Sequence, residues 1–373
     1  MVYNWKIPKE EFVQRMKLVQ ENIRTMNLDG LVIFSGYLER EGHVCYLTNH
    51  HSSFPNIMSH KGLGYSALVL PSEGPGILIA PFGYEDEKVV NIDYAKTGPN
   101  LMTEMKSVLE ELNFKEKNIG IVGTDVIPAE YYLYLSNIMN KSLINADHIL
   151  ENLRSIKSEN ELKILEEAAK VSDEGLKAAM ENSKPGKKEN EIAIEATRAA
   201  MEAGADMVVR VRISSGKKIA SLRWPMSSKR ELQNGDFVYI DFIGFYENYG
   251  FDVQRITVVG GPTPEQKKVL NKALDAENWI IEQLVPGKKI RLVKATSEGF
   301  NIDPLMHGIG LEICENPSCK MSGDSFLIEK NMVLCVEPSA GNKDFGDLAL
   351  EDMVEVTSDG PKILNKYDRI LWD

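Results

Sequence analysis

Apolar residues recur at steps of three and four from Phe12 through Met16, Val19 and Ile23 to Met26, the spacing of one buried helix face. Asp29-Gly30 ends that helix. The short apolar runs 31–34, 65–70, 76–80 and 118–122, each bounded by Gly or Pro, predict strands, and 102–112 predicts a second helix. This alternation is that of an α/β domain ending near residue 150. The character changes at Ser158-Glu159-Asn160-Glu161, a capping box ahead of a long helix carrying Leu162, Leu165, Ala169 and Leu176. Pro185-Gly186 stops that helix. A further helix over 189–203, a strand over 208–213, a turn at Asn234-Gly235 and a strand over 237–240 follow.

The same order begins again about a hundred residues later. Thr263-Pro264-Glu265-Gln266 is another capping box, with Pro at the first helical position. Its helix carries Val269, Leu270, Ala273, Ile280 and Leu284 before a second Pro-Gly stop. The tetrapeptide Pro-Gly-Lys-Lys occurs at both 185–188 and 286–289, at the same place in two similar helix–stop–strand units, which reads as an internal duplication. The second copy is worn, because the stretch between Gly287 and His307 leaves little room for a full second helix.

A chain of 373 residues is long for one core, and these breaks divide it into domains over 1–152 and 153–373. No apolar run approaches the ~18 residues of a membrane span. The first twelve residues have neither the basic nor the apolar region of a secretory signal, so a cytoplasmic protein is expected. The net charge of −12, without any Lys/Arg block, argues against nucleic acid as a partner, since phosphate binding needs a concentrated basic face. Cys45, Cys314, Cys319 and Cys335 form no CxxC pair, which argues against zinc-ribbon and thioredoxin-type motifs. Free thiols are expected, with Cys314 a small buried one.

The chemistry concentrates late in the chain. Between Asn234 and Gly260, two β-rich runs flank a polar turn at Glu247-Asn248, with Asp241 and Asp252 at similar distances either side. Such a hairpin would set the two carboxylates facing each other across the strands, ~5 Å apart at Cβ. Alone, they read as solvated hairpin ends or as a pair bridged by a cation. His307 lies in HGIGLE, Glu337 closes MVLCVE ahead of Pro338, and Glu351 sits inside the strand-like LALEDMVEV. A carboxylate within an apolar strand needs a partner. Arg255 is the ordinary candidate, and a pair of metal ions would satisfy all five residues together.

In this order, an Asp, a second Asp eleven positions on, His in HGIGLE, Glu before Pro and Glu in Glu-Asp, the chain resembles the pita-bread metallopeptidase family. That family includes Xaa-Pro dipeptidases, Xaa-Pro aminopeptidases, methionine aminopeptidases and creatinase. The resemblance covers about residues 155–373, and YLT at 46–48 is similar to the creatinase/prolidase N-terminal domain. It implies an α/β N-terminal domain followed by an internally duplicated α+β pita-bread domain, a curved antiparallel sheet covered by helices. It further implies two divalent metal ions, Asp241 and Glu337 as terminal ligands, Asp252 and Glu351 as bridges, and His307 as the sole nitrogen donor. Four carboxylates and one imidazole suit Mn²⁺ best, with Fe, Co or Zn as alternatives. A homodimer is also implied, in which the N-terminal domain approaches the partner's site.

Around those five positions the sequence departs from the family pattern. Arg223 stands where a histidine is usual before the first Asp, Cys314 replaces a second histidine, Gln254 replaces a Thr, and Ala349 replaces an Arg. Of the six histidines, at 43, 50, 51, 60, 148 and 307, only His307 lies in the C-terminal domain. Arg223 is the candidate oxyanion and substrate binder, and Glu315 the candidate acid/base. Cys314, His50 and His51 are candidate substrate contacts, while His43, His50, His51 and His60 otherwise read as a polar loop of hydrogen-bonded histidines. Trp224, Tyr246, Tyr249 and Phe251 read as packing. The leading function is metal-dependent hydrolysis of a C–N bond in a dipeptide of the Xaa-Pro class. The alternatives are a creatinase- or ectoine-hydrolase-like enzyme or a lyase acting on a small zwitterion, and a non-catalytic binding protein.

Overall fold

The computed structural model describes residues 6–36, 40–52, 64–81, 83–217, 219, 226–318 and 325–371. The chain forms two compact units, Met1–Arg154 and Ser155–Asp373. Among the described residues no helix is long and apolar enough to cross a membrane.

In the first unit, helix α1 (Lys9–Thr25) buries Phe12, Met16, Val19 and Ile23 along one face. Strand β1 (Gly30–Ser35) is buried throughout, as its unbroken apolar run requires. It lies inside a six-stranded sheet with β2 (Ser66–Pro71), β3 (Gly76–Ile79), β4 (Ile92–Lys96), β5 (Ile119–Val122) and β6 (Ile144–Asn145), in the order β4-β3-β2-β1-β5-β6. β1 runs antiparallel to β2 and parallel to β5.

Part of the segment expected as a polar histidine loop is a helix, α2 (Gly42–Thr48), with every residue buried. Val44 and Leu47 anchor it in the core, the Thr48 hydroxyl donates to the Val44 carbonyl at 2.8 Å, and Arg15 lies over the Tyr46 ring at 4.3 Å. Helices α3 (Leu101–Glu111), α4 (Ala129–Ile138) and α5 (Asp147–Ser155) follow. Residues of the first two pack with Phe34, Val69 and Ile121 in one apolar cluster.

In the second unit, α6 (Glu159–Asn182) starts at the Ser158 capping box and is followed by α7 (Glu189–Glu202). Strands β7 (Met207–Gly216), β8 (Phe237–Tyr246) and β9 (Tyr249–Val258) form an antiparallel sheet. Glu247 and Asn248 both have positive φ, 49° and 65°, the geometry of the two-residue turn that matches strand twist. Helix α6 covers one face of this sheet. Gly175 permits that approach, since a Cβ there would lie 2.2 Å from the Phe242 ring. Helix α8 (Pro264–Ile281) starts at the second capping box, and only strands occur between Gly287 and His307.

A further sheet is built from Glu315–Ser318, Met306–Gly308, Val333–Val336, Asp352–Thr357 and Gly360–Ile363, in that order. It meets β9 through an antiparallel bridge between Gln254 and Glu351. Glu351 itself stands between the strands Gly346–Ala349 and Asp352–Thr357 rather than inside one. Ala349 is buried in an apolar cluster with Phe237 and Tyr239.

Candidate metal centre

Alternation along β8 and β9 decides which groups meet. Phe242 turns toward α6, and Tyr249, from the same side, donates to Glu161 at 2.9 Å. Asp241, Asp252 and Gln254 therefore occupy the opposite face. The two aspartates are not directly opposed, as the sequence suggested. Counting outward from the turn, Asp241 pairs with Gln254 and Asp252 with Ile243. The carboxylates are thus diagonal neighbours on one face. They still converge: oxygens of Asp241, Asp252 and Glu351 lie within 4.8 Å of one another.

His307 enters from the adjoining sheet, in register with Cys335. Its Nδ1 lies 3.0 Å from the Gly308 carbonyl, which can only accept, so Nδ1 carries a proton and Nε2 faces the carboxylates. Nε2 is 3.6 Å from Glu351 Oε1, 3.7 Å from Glu337 Oε1 and 3.8 Å from Asp252 Oδ2. A divalent ion with donors at about 2.0–2.2 Å spaces its ligand atoms roughly 3–4 Å apart, the separation found here. Cys335 joins His307 and Glu351 in a second convergent group. Glu351 belongs to both.

Asp241, Asp252, Glu337 and Glu351 are all buried, and burial reshapes their proton affinity. Burial together with Glu351 and Asp241 holds the Asp252 carboxyl well above its ordinary range. Burial and the Glu337 charge push Glu351 up to about 8. Asp241 rises to about 6 through burial, against the pull of Arg212. His307 is held well above its usual value: burial opposes its charge, but Cys314 and Glu351 beside the ring outweigh that. Both Glu351 oxygens and Oδ1 of Asp241 and Asp252 are buried without a hydrogen-bond partner. Buried acceptors of this kind are costly unless a cation takes them up, so the donor set fits divalent metal ions.

The surrounding side chains orient this set. The fully buried Gln254 donates from Nε2 to Glu337 Oε2 at 2.8 Å, and its own Oε1 accepts from the Tyr239 hydroxyl. Arg212, directly across from Asp241 on β7, contacts Asp241 Oδ2 at 2.8 Å. Cys335 Sγ lies 3.6 Å from the Asp252 carbonyl oxygen. Arg255 does not pair with the side chains of Glu337 or Glu351. It points to the α6 side, fully buried, with Nη2 2.6 Å from Asp352, and it donates to the Gln254 and Glu351 backbone carbonyls at 2.9 and 2.8 Å. Arg369 joins Asp352 to Glu277 there.

Other sequence candidates fall elsewhere. Glu315 Oε1 lies 2.6 Å from the Nζ of the buried Lys157. Cys314 is exposed, not a buried thiol, though it reaches the His307 ring. Arg223, Trp224, Cys319 and His60 lie outside the described residues. His50 and His51 are in the first unit, beside α2. Phe251 packs on Phe242 with ring centroids 5.3 Å apart, and Tyr246 ends β8. Sequence reasoning missed Cys335, Arg212 and Lys157. Cys335 was recoverable, because it is two positions before Glu337 and shares its face; Arg212 and Lys157 carried no such signal.

The fold and buried donor set define a metal-dependent peptidase of pita-bread architecture behind an α/β N-terminal unit. The pattern of metallopeptidase family M24 matches residues 163–358, more than half of the chain, and that of the creatinase/prolidase N-terminal domain matches 15–156. The chain belongs to metallopeptidase family M24. An Xaa-Pro dipeptidase of Pyrococcus horikoshii is 29% identical over 293 residues, covering 75% of this chain and 82% of that protein. An uncharacterized peptidase of Bacillus subtilis, YqhT, is 26% identical over 313 residues, 81% of this chain and 88% of that one. The crystal structure of the prolidase from Pyrococcus horikoshii OT3 superposes with a TM-score of 0.79 at 25% identity, covering 96% and 99% of the two chains.

Proposed function

We propose that the chain is an Xaa-Pro dipeptidase using two divalent ions, with Mn²⁺ the best suited, held by Asp241, Asp252, His307, Glu337 and Glu351. The observation that carries this reading is the convergence of buried, unpartnered carboxylate oxygens on the face that His307 Nε2 looks into. The dipeptide specificity rests on the likeness to the Pyrococcus proteins. Bound ions would supply Lewis acidity toward the scissile carbonyl and a nucleophilic water at neutral pH. Glu351, common to both donor groups, would be shared by the two ions, and Asp252 would be shared with it. Gln254 fixes the carboxylate plane of Glu337, and Arg212 offsets one negative charge at Asp241. His307 must give up its Nε2 proton for its ring to act as a ligand, so binding releases protons.

Glu315 remains the proposed proton carrier, with Lys157 holding its carboxylate in place. Glu315→Gln should depress kcat while leaving metal content unchanged. The main test is hydrolysis of Ala-Pro and Leu-Pro with Mn²⁺ or Co²⁺, alongside metal analysis of protein purified without chelator. Cleavage accompanied by about two bound ions is expected, and Asp252→Ala should abolish both. Metal binding without cleavage of any Xaa-Pro dipeptide would defeat the dipeptidase reading and favour an amidohydrolase of a small zwitterion. A protein that binds no divalent ion would defeat the metal-dependent reading itself.

A further inference from the structure

A second cluster of reactive groups sits in the first unit, and the peptidase reading makes no use of it. Cys45 lies on α2 and His51 three residues beyond the helix, while Glu41 immediately precedes its first turn. Cys45 Sγ is 2.9 Å from His51 Nε2, and His51 Nδ1 is 2.8 Å from Glu41 Oε2. Thiol, imidazole and carboxylate therefore stand in line, with the ring nitrogens each facing one partner. This is the order in which a nucleophile, its proton acceptor and an orienting acid are arranged for nucleophilic catalysis. The spacing has a local cause. Glu41 and Cys45 are one helical turn apart and share a face, and the left-handed Asn49 at the helix end, φ 56°, turns the chain so that His51 returns between them.

We propose that Cys45 is a nucleophile and a site of covalent modification by hydroperoxides, with His51 taking its proton and Glu41 orienting the imidazole. Sulfur attacks one peroxide oxygen, forming the S–O bond as the O–O bond breaks. The departing hydroxide or alkoxide takes the proton from His51 and leaves as water or an alcohol. Cys45 is thereby oxidised to a sulfenic acid, and the peroxide is reduced.

The electrostatics agree with this geometry. Burial opposes charge on His51, but Cys45 and Glu41 at its two nitrogens outweigh that and hold its proton well above the ordinary range. The neighbouring His50 is driven down to about 3, first by burial and then by the charge on His51. His43 is driven down to about 3 by burial and Arg154, so neither neighbour competes for the role. Cys45 is only 2% exposed, which confines its reagents to small molecules.

The test uses the full chain with its metals. Alkylation of Cys45 by iodoacetamide at pH 7 is followed by peptide mass mapping, in folded and urea-unfolded protein. Hydrogen peroxide with a dione trap for sulfenic acid forms the second arm. An ordinary thiol is only a few per cent ionised at pH 7, while nucleophilicity falls as ionisation becomes easier. Together these predict roughly tenfold faster alkylation of Cys45 in the folded protein than in the unfolded chain, and trapped sulfenate at Cys45. His51→Gln should remove that advantage, while metal content stays unchanged. Glu41→Gln, which alters only the orienting acid, should lower the advantage partially. Equal or slower alkylation in the folded wild type would overturn the proposal, a result that needs no variant to fold. An unchanged rate in folded His51→Gln would overturn it as well.

Discussion

Gln254→Leu isolates the contribution of an orienting amide to the metal centre. The substitution keeps volume but removes the donor to Glu337 Oε2 and the acceptor for the Tyr239 hydroxyl, both in a fully buried environment. Each buried polar group deprived of its partner costs about 1–3 kcal/mol. Loss of a partner that orients a metal ligand typically weakens metal binding ~10–100-fold, equivalent to about 1.4–2.7 kcal/mol. The effect should therefore appear chiefly as weakened affinity for the ion that Glu337 holds. The assay is Mn²⁺ titration against a competing chelator, with urea denaturation of the metal-free protein as a control. Tyr239→Phe, which leaves the Gln254–Glu337 bond in place, should cost about 1 kcal/mol of stability and much less affinity. If Gln254→Leu binds Mn²⁺ within threefold of wild type, Gln254 is a packing residue and the orienting role is wrong.

Three further outcomes follow from the same geometry. Arg255→Leu strips a fully buried charge from Asp352 and two backbone carbonyls and should cost about 3–5 kcal/mol in urea denaturation; a loss under 1 kcal/mol would show that Arg369 alone balances Asp352 and Glu277. In metal-free protein, Glu351, raised to about 8 in the fold, holds its proton more tightly than the unfolded chain does. Its contribution is complete below about 4.5 and is lost as pH rises to about 8, so Tm should fall across that window. Mn²⁺ should restore more stability at pH 8 than at pH 5; a pH slope unchanged in Glu351→Gln would contradict this. Gly175→Ala should destabilise by about 1–3 kcal/mol despite the better helix propensity of alanine, because its Cβ meets the Phe242 ring; a thermal melt showing stabilisation would disprove that contact.

Much of this was legible before any coordinates. The capping boxes at Ser158 and Thr263 started helices where the side-chain chemistry demanded, and the carboxylate order pointed to one buried cluster. The pairing of Asp241 was missed because strand register depends on the exact turn residues, and one position decides which side chains oppose. α2 was missed because seven residues are too few to display a helical period, and His43, His50 and His51 looked polar although they sit among buried neighbours. Cys45 looked like an ordinary core thiol for the same reason: the partners that change its chemistry are set by a chain reversal, not by a motif. Arg212 was invisible because an arginine in a strand usually faces water, and only the pairing of β7 with β8 shows that it faces Asp241.

The two faces of β9 carry opposite kinds of charge chemistry on adjacent residues. Gln254 belongs to the metal side and Arg255 to the α6 side, just as Glu351 and Asp352 divide across their shared bridge. Inserting or deleting one residue between the turn and Asp252 would swing a guanidinium among the ligands and a metal-side carboxylate into the packed interior. The segment can therefore tolerate substitutions far more readily than changes of length. Variants of this chain should differ in length at loops, with the number of residues from Tyr249 to Arg255 kept constant even where their identities drift.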